Sequence, residues 1–213
     1  MNGILESEYK FLVKRPDTLD EIANLNEIAD FRLTNPRTII QEDTYFDTHD
    51  QFFYVNGMQC RVRKKEGIYT LTFKTPIEEA EAKYERSEFT ATINSNQIPL
   101  FCDRTLESES LRAINELITQ LIGNNGLVET LIVHTQRKMI DLVKGDIVLV
   151  LDLDGIVYQR PLTKKTVQEY ELEIEKDHTP LAHLERIVSY LKDQFPLIES
   201  PAPKYQRGMQ LTS

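Results

Sequence analysis

Tryptophan is absent from the 213 residues, which also include only two cysteines, eight glycines and four histidines. The cysteines, Cys60 and Cys102, stand far apart without a CxxC spacing. They therefore read as two free thiols in a reducing compartment, not as a redox or zinc pair. His49, His134, His178 and His183 form no HExxH or other metal spacing, and read as isolated surface or core residues. No GxxxxGK[ST] loop is present, so any phosphate must be held by side chains. A GxSxG nucleophile element is missing too. The longest aliphatic run, Ile147 to Leu151, is far too short to span a membrane, and the N-terminal stretch shows no signal pattern. A cytoplasmic protein is expected.

What is present is charge. Charged residues make up 28% and hydrophobic residues 40%, the balance of a polar globular chain. The formal net charge is -9. Neither nucleic acid nor an anionic membrane is attracted to such a surface overall, although a local basic cavity can still hold an anion. The length suits one large domain or two small ones. Taken in order, the chain opens on a strand at Glu6-Ser7-Glu8-Tyr9-Lys10. Thr18 with Glu21 reads as the capping box of a first helix whose apolar stripe runs to Ala29, and Asn35-Pro36 reads as a break. A strand over 38–47 leads to a hairpin turn at Asn56-Gly57, and strands over 58–65 and 68–75 meet at Glu66-Gly67. An exposed polar link over 76–83 precedes a strand over 84–94. A helix over 105–122, strands over 127–142, 146–157 and 167–175, a helix capped by Thr179-Pro180 and a Pro-containing tail over 200–213 complete the chain. Strand groups separated by helices, without βαβ alternation, indicate an α+β fold with antiparallel pairing.

Side chains alternate along a strand, so Glu6, Glu8 and Lys10 share one face within about 14 Å. Alone, that pattern describes the wet side of a half-buried strand. The same face of later strands adds Arg61, Arg63, Lys74, Arg86, Glu88, Arg137, Asp152, Asp154, Glu169, Glu171 and Glu173. The opposite faces carry Tyr9, Phe11, Val62, Leu71, Phe73, Phe89, Leu149, Leu151, Leu153, Tyr170, Leu172 and Ile174, for three amphipathic helices to cover. Enclosing so many charges dry costs several kcal/mol per ion, so a closed version needs a wet interior with a polyanion for the bases and a divalent cation for the acids. All-oxygen ligands suit Mg²⁺ or Mn²⁺.

The ordered set Glu6-x-Glu8-x-Lys10, Tyr45-Phe46-Asp47, Arg61-x-Arg63, Thr72-Phe73-Lys74, Arg86-x-Glu88, Arg137, Asp152, Glu171-Leu172-Glu173 and Lys204 resembles the CYTH domain, or triphosphate tunnel metalloenzyme, family across nearly the whole chain. The resemblance implies a single domain over 1–213: a closed eight-stranded antiparallel β-barrel, open at both ends, with about three covering helices. It implies metal binding by Glu6, Glu8, Glu171, Glu173 and Asp152, and a triphosphate clamp of Lys10, Arg61, Arg63, Lys74, Arg86, Arg137 and Lys204. Catalytic roles fall to Glu88, Asp152, Lys10 and Lys204, with Glu88 and Asp152 orienting water or a second metal. Asp154 has an alternative as a turn residue before Gly155, and Glu169 as a tunnel-mouth charge.

The activity expected is hydrolysis of a small triphosphate, foremost inorganic tripolyphosphate, with Mg²⁺ or Mn²⁺, by a monomer or homodimer that binds neither nucleic acid nor membrane. A class IV-type adenylyl cyclase is the alternative, although the His-Phe pair that such cyclases carry upstream of the first strand is missing. Thiamine triphosphatase follows, with no tryptophan available for ring stacking. A non-enzymatic polyphosphate- or nucleotide-binding module is the remaining reading, against which the acids on the first and last strands argue.

Overall fold

The computed structural model describes residues 8–76, 78–80, 83–85, 87–106, 108–175, 180–200 and 202–213, with the backbone alone at 8, 78–80, 83–85 and 175. In chain order the elements are β1 (Glu8–Val13), α1 (Pro16–Ala23), β2 (Glu27–Ile28), β3 (Phe31–Asp47), α2 (Phe52–Val55), β4 (Gln59–Lys65) and β5 (Ile68–Lys74). Next come β6 (Glu78–Ala80), β7 (Lys83–Glu85), β8 (Glu88–Ile93), α3 (Ile98–Cys102), α4 (Arg112–Ile122), β9 (Val128–Lys144) and β10 (Ile147–Gln159). The chain closes with β11 (Thr166–Glu175), α5 (Leu181–Gln194), β12 (Leu197–Glu199) and α6 (Lys204–Leu211). The main sheet is antiparallel in the order β12-β1-β11-β10-β9-β3-β4-β5-β8, with β2 added beside β3 and β6–β7 as a separate hairpin. The antiparallel α+β architecture is the expected one. Its strand number exceeds eight because the short β2 and β12 join the ladder, and among the described residues no hydrogen-bonded pair links β8 to β12.

Two apolar clusters cover the outward face. Phe11, Leu149, Leu151, Leu153, Leu172 and Ile174 pack against Leu19 and Ile22 of α1 and Leu184, Ile187 and Leu191 of α5. Val62, Leu71 and Phe73 pack against Phe101 of α3 and Ile114 and Ile118 of α4. Full burial of each such side chain is worth about 1.5–3 kcal/mol. These clusters fix the register of the strands, because a slip by one residue would turn every charged inward residue onto the helices. The β4–β5 turn uses Glu66 and Gly67 at φ 51° and 80°, the paired positive values of the tightest hairpin turn.

Several local expectations change. Pro16 opens α1 at its first turn and Thr18 lies buried inside the helix without a capping hydrogen bond, so the Thr18–Glu21 box does not form. The helix stops at Ala23, and Glu27–Ile28 is extended. Asn35-Pro36 bulges β3 without ending it: the pairing with β9 shifts between Thr34 and Arg37, and Asn35 takes φ 50°. Asn56-Gly57 closes α2, with the Gly57 N–H donating to the Tyr54 carbonyl, instead of making a two-residue hairpin. Part of the presumed polar link forms β6, and the helix expected over 105–122 is regular only from Arg112. Thr179 lies outside the described residues. The tail over 200–213 is mostly helix, and that helix bears on the site.

Candidate functional site

Alternation along each strand brings the predicted charges to one face. In the ladder Lys10 lies opposite Glu173, and Glu173 opposite Asp152. Asp154 lies opposite both Glu171 and Arg137. Asp43 stands opposite Arg63, Tyr45 opposite Arg61, and Lys74 opposite Glu88. Residues directly across an antiparallel pair have Cβ atoms about 4.5–5.5 Å apart, so each row is a contact set. Asp43, Asp152, Asp154 and Glu171 are 0% exposed. A solvated sheet face does not bury carboxylates completely, so this face is covered where they stand.

The acids crowd at β10 and β11. Arg137 Nε donates to Asp154 Oδ1 at 2.8 Å, its Nη1 to Asp152 Oδ2 at 2.5 Å, and its Nη2 to Asp154 Oδ2 at 2.7 Å and to Glu173. The Lys204 ammonium stands 2.9 Å from Glu173 Oε1, 3.1 Å from Asp154 Oδ2 and in contact with Glu171 Oε1. Lys10 lies 3.5 Å from Glu173 Oε1. Burial opposes the charge on Glu173, but Lys204 and Arg137 overcome it and hold the carboxyl well below its usual range. Burial dominates at Glu171 and raises its pKa, despite the pull of Lys204 and with the neighbouring Glu173 carboxylate adding to the rise. Burial also disfavours the Lys204 and Arg137 charges, and the surrounding carboxylates more than compensate, so both are held cationic.

The bases crowd at β4 and β5. Arg63 forms a two-pronged bond with Asp43, at 2.7 and 2.8 Å, and Arg61 Nη1 lies 3.5 Å from the same carboxylate. Burial works against the Asp43 charge, yet Arg61 and Arg63 hold its pKa below the usual range. Lys74 Nζ meets Glu88 Oε2 at 2.8 Å. The face thus carries an acid-rich half and a base-rich half.

Helix α6 joins the two halves, and it lies on the same face. Its Tyr205, Gly208 and Met209 seat against Tyr45, Leu131, Val133, Ile156 and Tyr158, inward residues that make an apolar floor at one end. Tyr205 stacks on Tyr45 at 4.7 Å between ring centres, and its hydroxyl donates to Asp47 Oδ2 at 2.9 Å. Asp47 also accepts the backbone N–H of Phe53 and of Tyr54, satisfying orphan donors of α2. That end of the expected open tunnel is therefore filled by the chain itself. Lys204 and Arg207, three residues apart, point from α6 toward the acids. Arg207 Nε donates to Glu169 Oε2 at 3.1 Å, and Nη2 to Glu171 and to the Tyr158 hydroxyl. Nη1 donates to Ser200 Oγ at 3.2 Å and to the Ala202 carbonyl at 2.6 Å.

The structure thus brings Lys10, Arg137, Asp152, Glu171, Glu173 and Lys204 into one cluster, Arg61 with Arg63 into a second, and Lys74 with Glu88 into a third. Glu6 and Arg86 lie outside the described residues. Glu8 is described in backbone only, at the start of β1 opposite Glu175. Asp154 is no turn residue: it sits mid-strand and bonds Arg137. Glu169 is bound by Arg207. Sequence reasoning missed Asp43 and Arg207. Asp43 shares its strand face with Tyr45, a parity that could have shown it; Arg207 was hidden because Gly208 and the nearby prolines made its helix read as a tail.

One carboxylate oxygen each from Asp154, Glu171 and Glu173 lie within 4.8 Å of one another, all buried. A hard divalent cation asks for just such clustered oxygens. The residues present therefore fit a hard divalent cation.

Residues 5–195 match the family model described as the CYTH domain. A search of the curated proteins finds no match. Among solved structures, a Hippeastrum protein provisionally assigned as an adenylyl cyclase and described as having a dominant triphosphatase activity superposes with a TM-score of 0.67 at 17% identity, covering 98% of this chain and 97% of that one. A Bacillus halodurans protein provisionally assigned as an adenylate cyclase gives 0.65 at 23% identity, covering 97% and 98%. A Pyrococcus horikoshii protein gives 0.53 at 20% identity, covering 96% and 99%. At these identities the likeness speaks for the fold. No described helix is long and apolar enough to cross a membrane.

Proposed function

The chain belongs to the CYTH domain family, and from that premise we propose that it is a divalent-cation-dependent hydrolase of a small triphosphate, foremost inorganic tripolyphosphate. The observation that carries the reading is the presence, on the same face of the sheet, of a buried carboxylate cradle at Asp154, Glu171 and Glu173 and of the bases Arg61, Arg63 and Lys74. A polyphosphate needs cationic side chains along its length, and hydrolysis needs its developing charge neutralised where the anhydride breaks.

In this reading Arg61, Arg63, Lys74 and Arg86 hold the phosphoryl oxygens, with Lys10, Arg137 and Lys204 completing the clamp. The guanidinium forks give orientation as well as charge. Asp154, Glu171 and Glu173, with Glu6, Glu8 and Asp152, hold the cation. The cation, when bound, supplies charge neutralisation on phosphoryl oxygens. Glu88 and Asp152 orient the attacking water and accept its proton. Asp43 keeps Arg61 and Arg63 in place for the anion. The chain as a whole spends its binding groups on phosphate, and we assign no residue to a nucleobase or thiazole ring.

The deciding experiment offers the purified chain tripolyphosphate, ATP and thiamine triphosphate with Mg²⁺ or Mn²⁺, reading phosphate and cyclic AMP, with and without EDTA. Phosphate release from tripolyphosphate that EDTA abolishes is expected. Cyclic AMP from ATP would establish the cyclase instead, and tight polyphosphate binding without turnover and indifferent to EDTA would reduce the protein to a binding module.

A further inference from the structure

Lys204 is placed oddly for a lysine. It is the first residue of α6, where the helix dipole disfavours a cation, and its ammonium sits among Asp154, Glu171 and Glu173. These are the same three carboxylates whose oxygens cluster tightly enough for a metal ion. The cradle therefore already contains a cation, and that cation is part of the protein. A dication bound by those oxygens would stand within a few ångströms of the ammonium, among carboxylates that are almost wholly buried, where two positive charges are only weakly screened.

The rest of α6 does not depend on this contact. Tyr205 is held by Tyr45 and Asp47, Met209 by the apolar floor, and Arg207 by Glu169, Glu171, Tyr158, Ser200 and Ala202. The lysine stem is flexible, so its head can leave while the helix stays seated. Its field also reaches Asp43, in the base-rich half of the face.

We propose that the Lys204 ammonium and a divalent cation are alternative occupants of the Asp154–Glu171–Glu173 cradle, so that loading the cation releases Lys204 into the enclosed space where the polyanion binds. The cradle is then filled in either state. Lys204 becomes a phosphate-binding group only in the loaded protein, which makes anion affinity at this position conditional on the cation. The proposal rests on the cradle being the cation site, and two readouts separate its failure from the failure of that reading.

Binding of Mn²⁺ to the wild-type chain, Lys204→Met and Lys204→Gln is measured by the loss of the free-ion electron paramagnetic resonance signal, without substrate. Accessibility of Lys204 in the wild-type chain is measured by acetylation with an amine-reactive ester and mass spectrometry, with and without saturating Mn²⁺. Circular dichroism checks that the variants fold. If the ammonium fills the cradle nine-tenths of the time, both variants bind Mn²⁺ about tenfold more tightly than wild type. Lys204, shielded by three carboxylates in the metal-free protein, becomes about tenfold faster to acetylate at saturation on the same arithmetic. Mn²⁺ binding that leaves Lys204 labelling unchanged overturns the exchange and leaves the cation site standing, whatever the variants do. Absence of Mn²⁺ binding in wild type and variants alike removes the cation site, and the exchange with it.

Discussion

Gly208 offers a sharp test of how α6 is seated. It lies inside a helix with no positive φ to require glycine, so backbone freedom gives no reason for it. A Cβ at this position would meet Leu131 Cδ2 and Tyr158 Cδ1, each at 2.5 Å, and Tyr158 Cε1 at 3.0 Å. Both neighbours are 0% exposed, so neither can swing into solvent. Two effects compete in Gly208→Ala. Alanine gains about 0.8–1 kcal/mol of helix propensity over glycine. Overpacking a filled core costs about 1–3 kcal/mol, and the Tyr158 ring, unlike the tip of Leu131, has no flexible end with which to yield. We therefore expect Gly208→Ala to be destabilised by about 1 kcal/mol net, which lowers Tm by about 2–4 °C in a chain of this size. Gly208→Val, with less propensity to gain and more volume to place, should lose at least about 2 kcal/mol. The assay is urea unfolding followed by circular dichroism, with hydrogen exchange of the α6 amides as the local readout. If Gly208→Ala proves more stable than wild type by the propensity gain, α6 is not pressed onto Leu131 and Tyr158 and the close seating is wrong.

Asp43→Asn removes the shared partner of Arg61 and Arg63, and breaking a buried pair of this kind should cost about 3 kcal/mol at neutral pH. Because the Asp43 pKa is lowered on folding, its contribution is fully present above the unfolded value of about 3.9. Urea midpoints of wild type and variant should therefore differ by a constant amount from pH 7 to pH 5 and converge only below about pH 4; convergence already at pH 6 would refute the pairing. Arg207→Lys keeps the charge but cannot span Glu169, Glu171, Tyr158, Ser200 and Ala202 together, so a loss of about 1–3 kcal/mol is expected in thermal melts, and an unchanged Tm would refute the role given to the fork. Glu8→Gln should lose metal-dependent turnover at least about tenfold while its far-ultraviolet spectrum stays that of the wild type; full activity would remove Glu8 from the cation site.

The strand parity of the charged face was legible because a period of two survives any error in strand ends. Lys10, Arg61, Arg63, Lys74, Arg137, Asp152, Glu171 and Glu173 share the face that alternation assigned to them. The helices were less legible. Thr18 resembled a cap, but Pro16 starts α1 earlier, and a proline two residues upstream outweighs a capping box whose glutamate is never recruited. Asn35-Pro36 resembled a stop because proline cannot donate to a ladder, yet a bulge in a long strand removes just that need. The tail concealed α6 because its glycine and prolines mimic loop composition. Only the partner surface, Leu131 and Tyr158, explains why a helix there prefers no side chain at all. The family resemblance alone implies a phosphate role for Lys204, whereas its position among three carboxylates is a property of the packed helix that no local spacing encodes.

The hydroxyl of Tyr205 and the carboxylate of Asp47 are 158 positions apart in the chain, and among the described residues β1 pairs with β11 and β12 alone. During synthesis, then, the first strand must wait for nearly the whole sheet before it has a neighbour. The crowded acids of β10 and β11 emerge before the lysine and arginine of α6 that quiet them. Arg137 and Lys10 already reach Asp154 and Glu173 by then, but until that helix arrives the repulsion of Glu169 and Glu171 opposes closing the face. Such long-range pairing folds slowly and leaves edges open to wrong partners meanwhile.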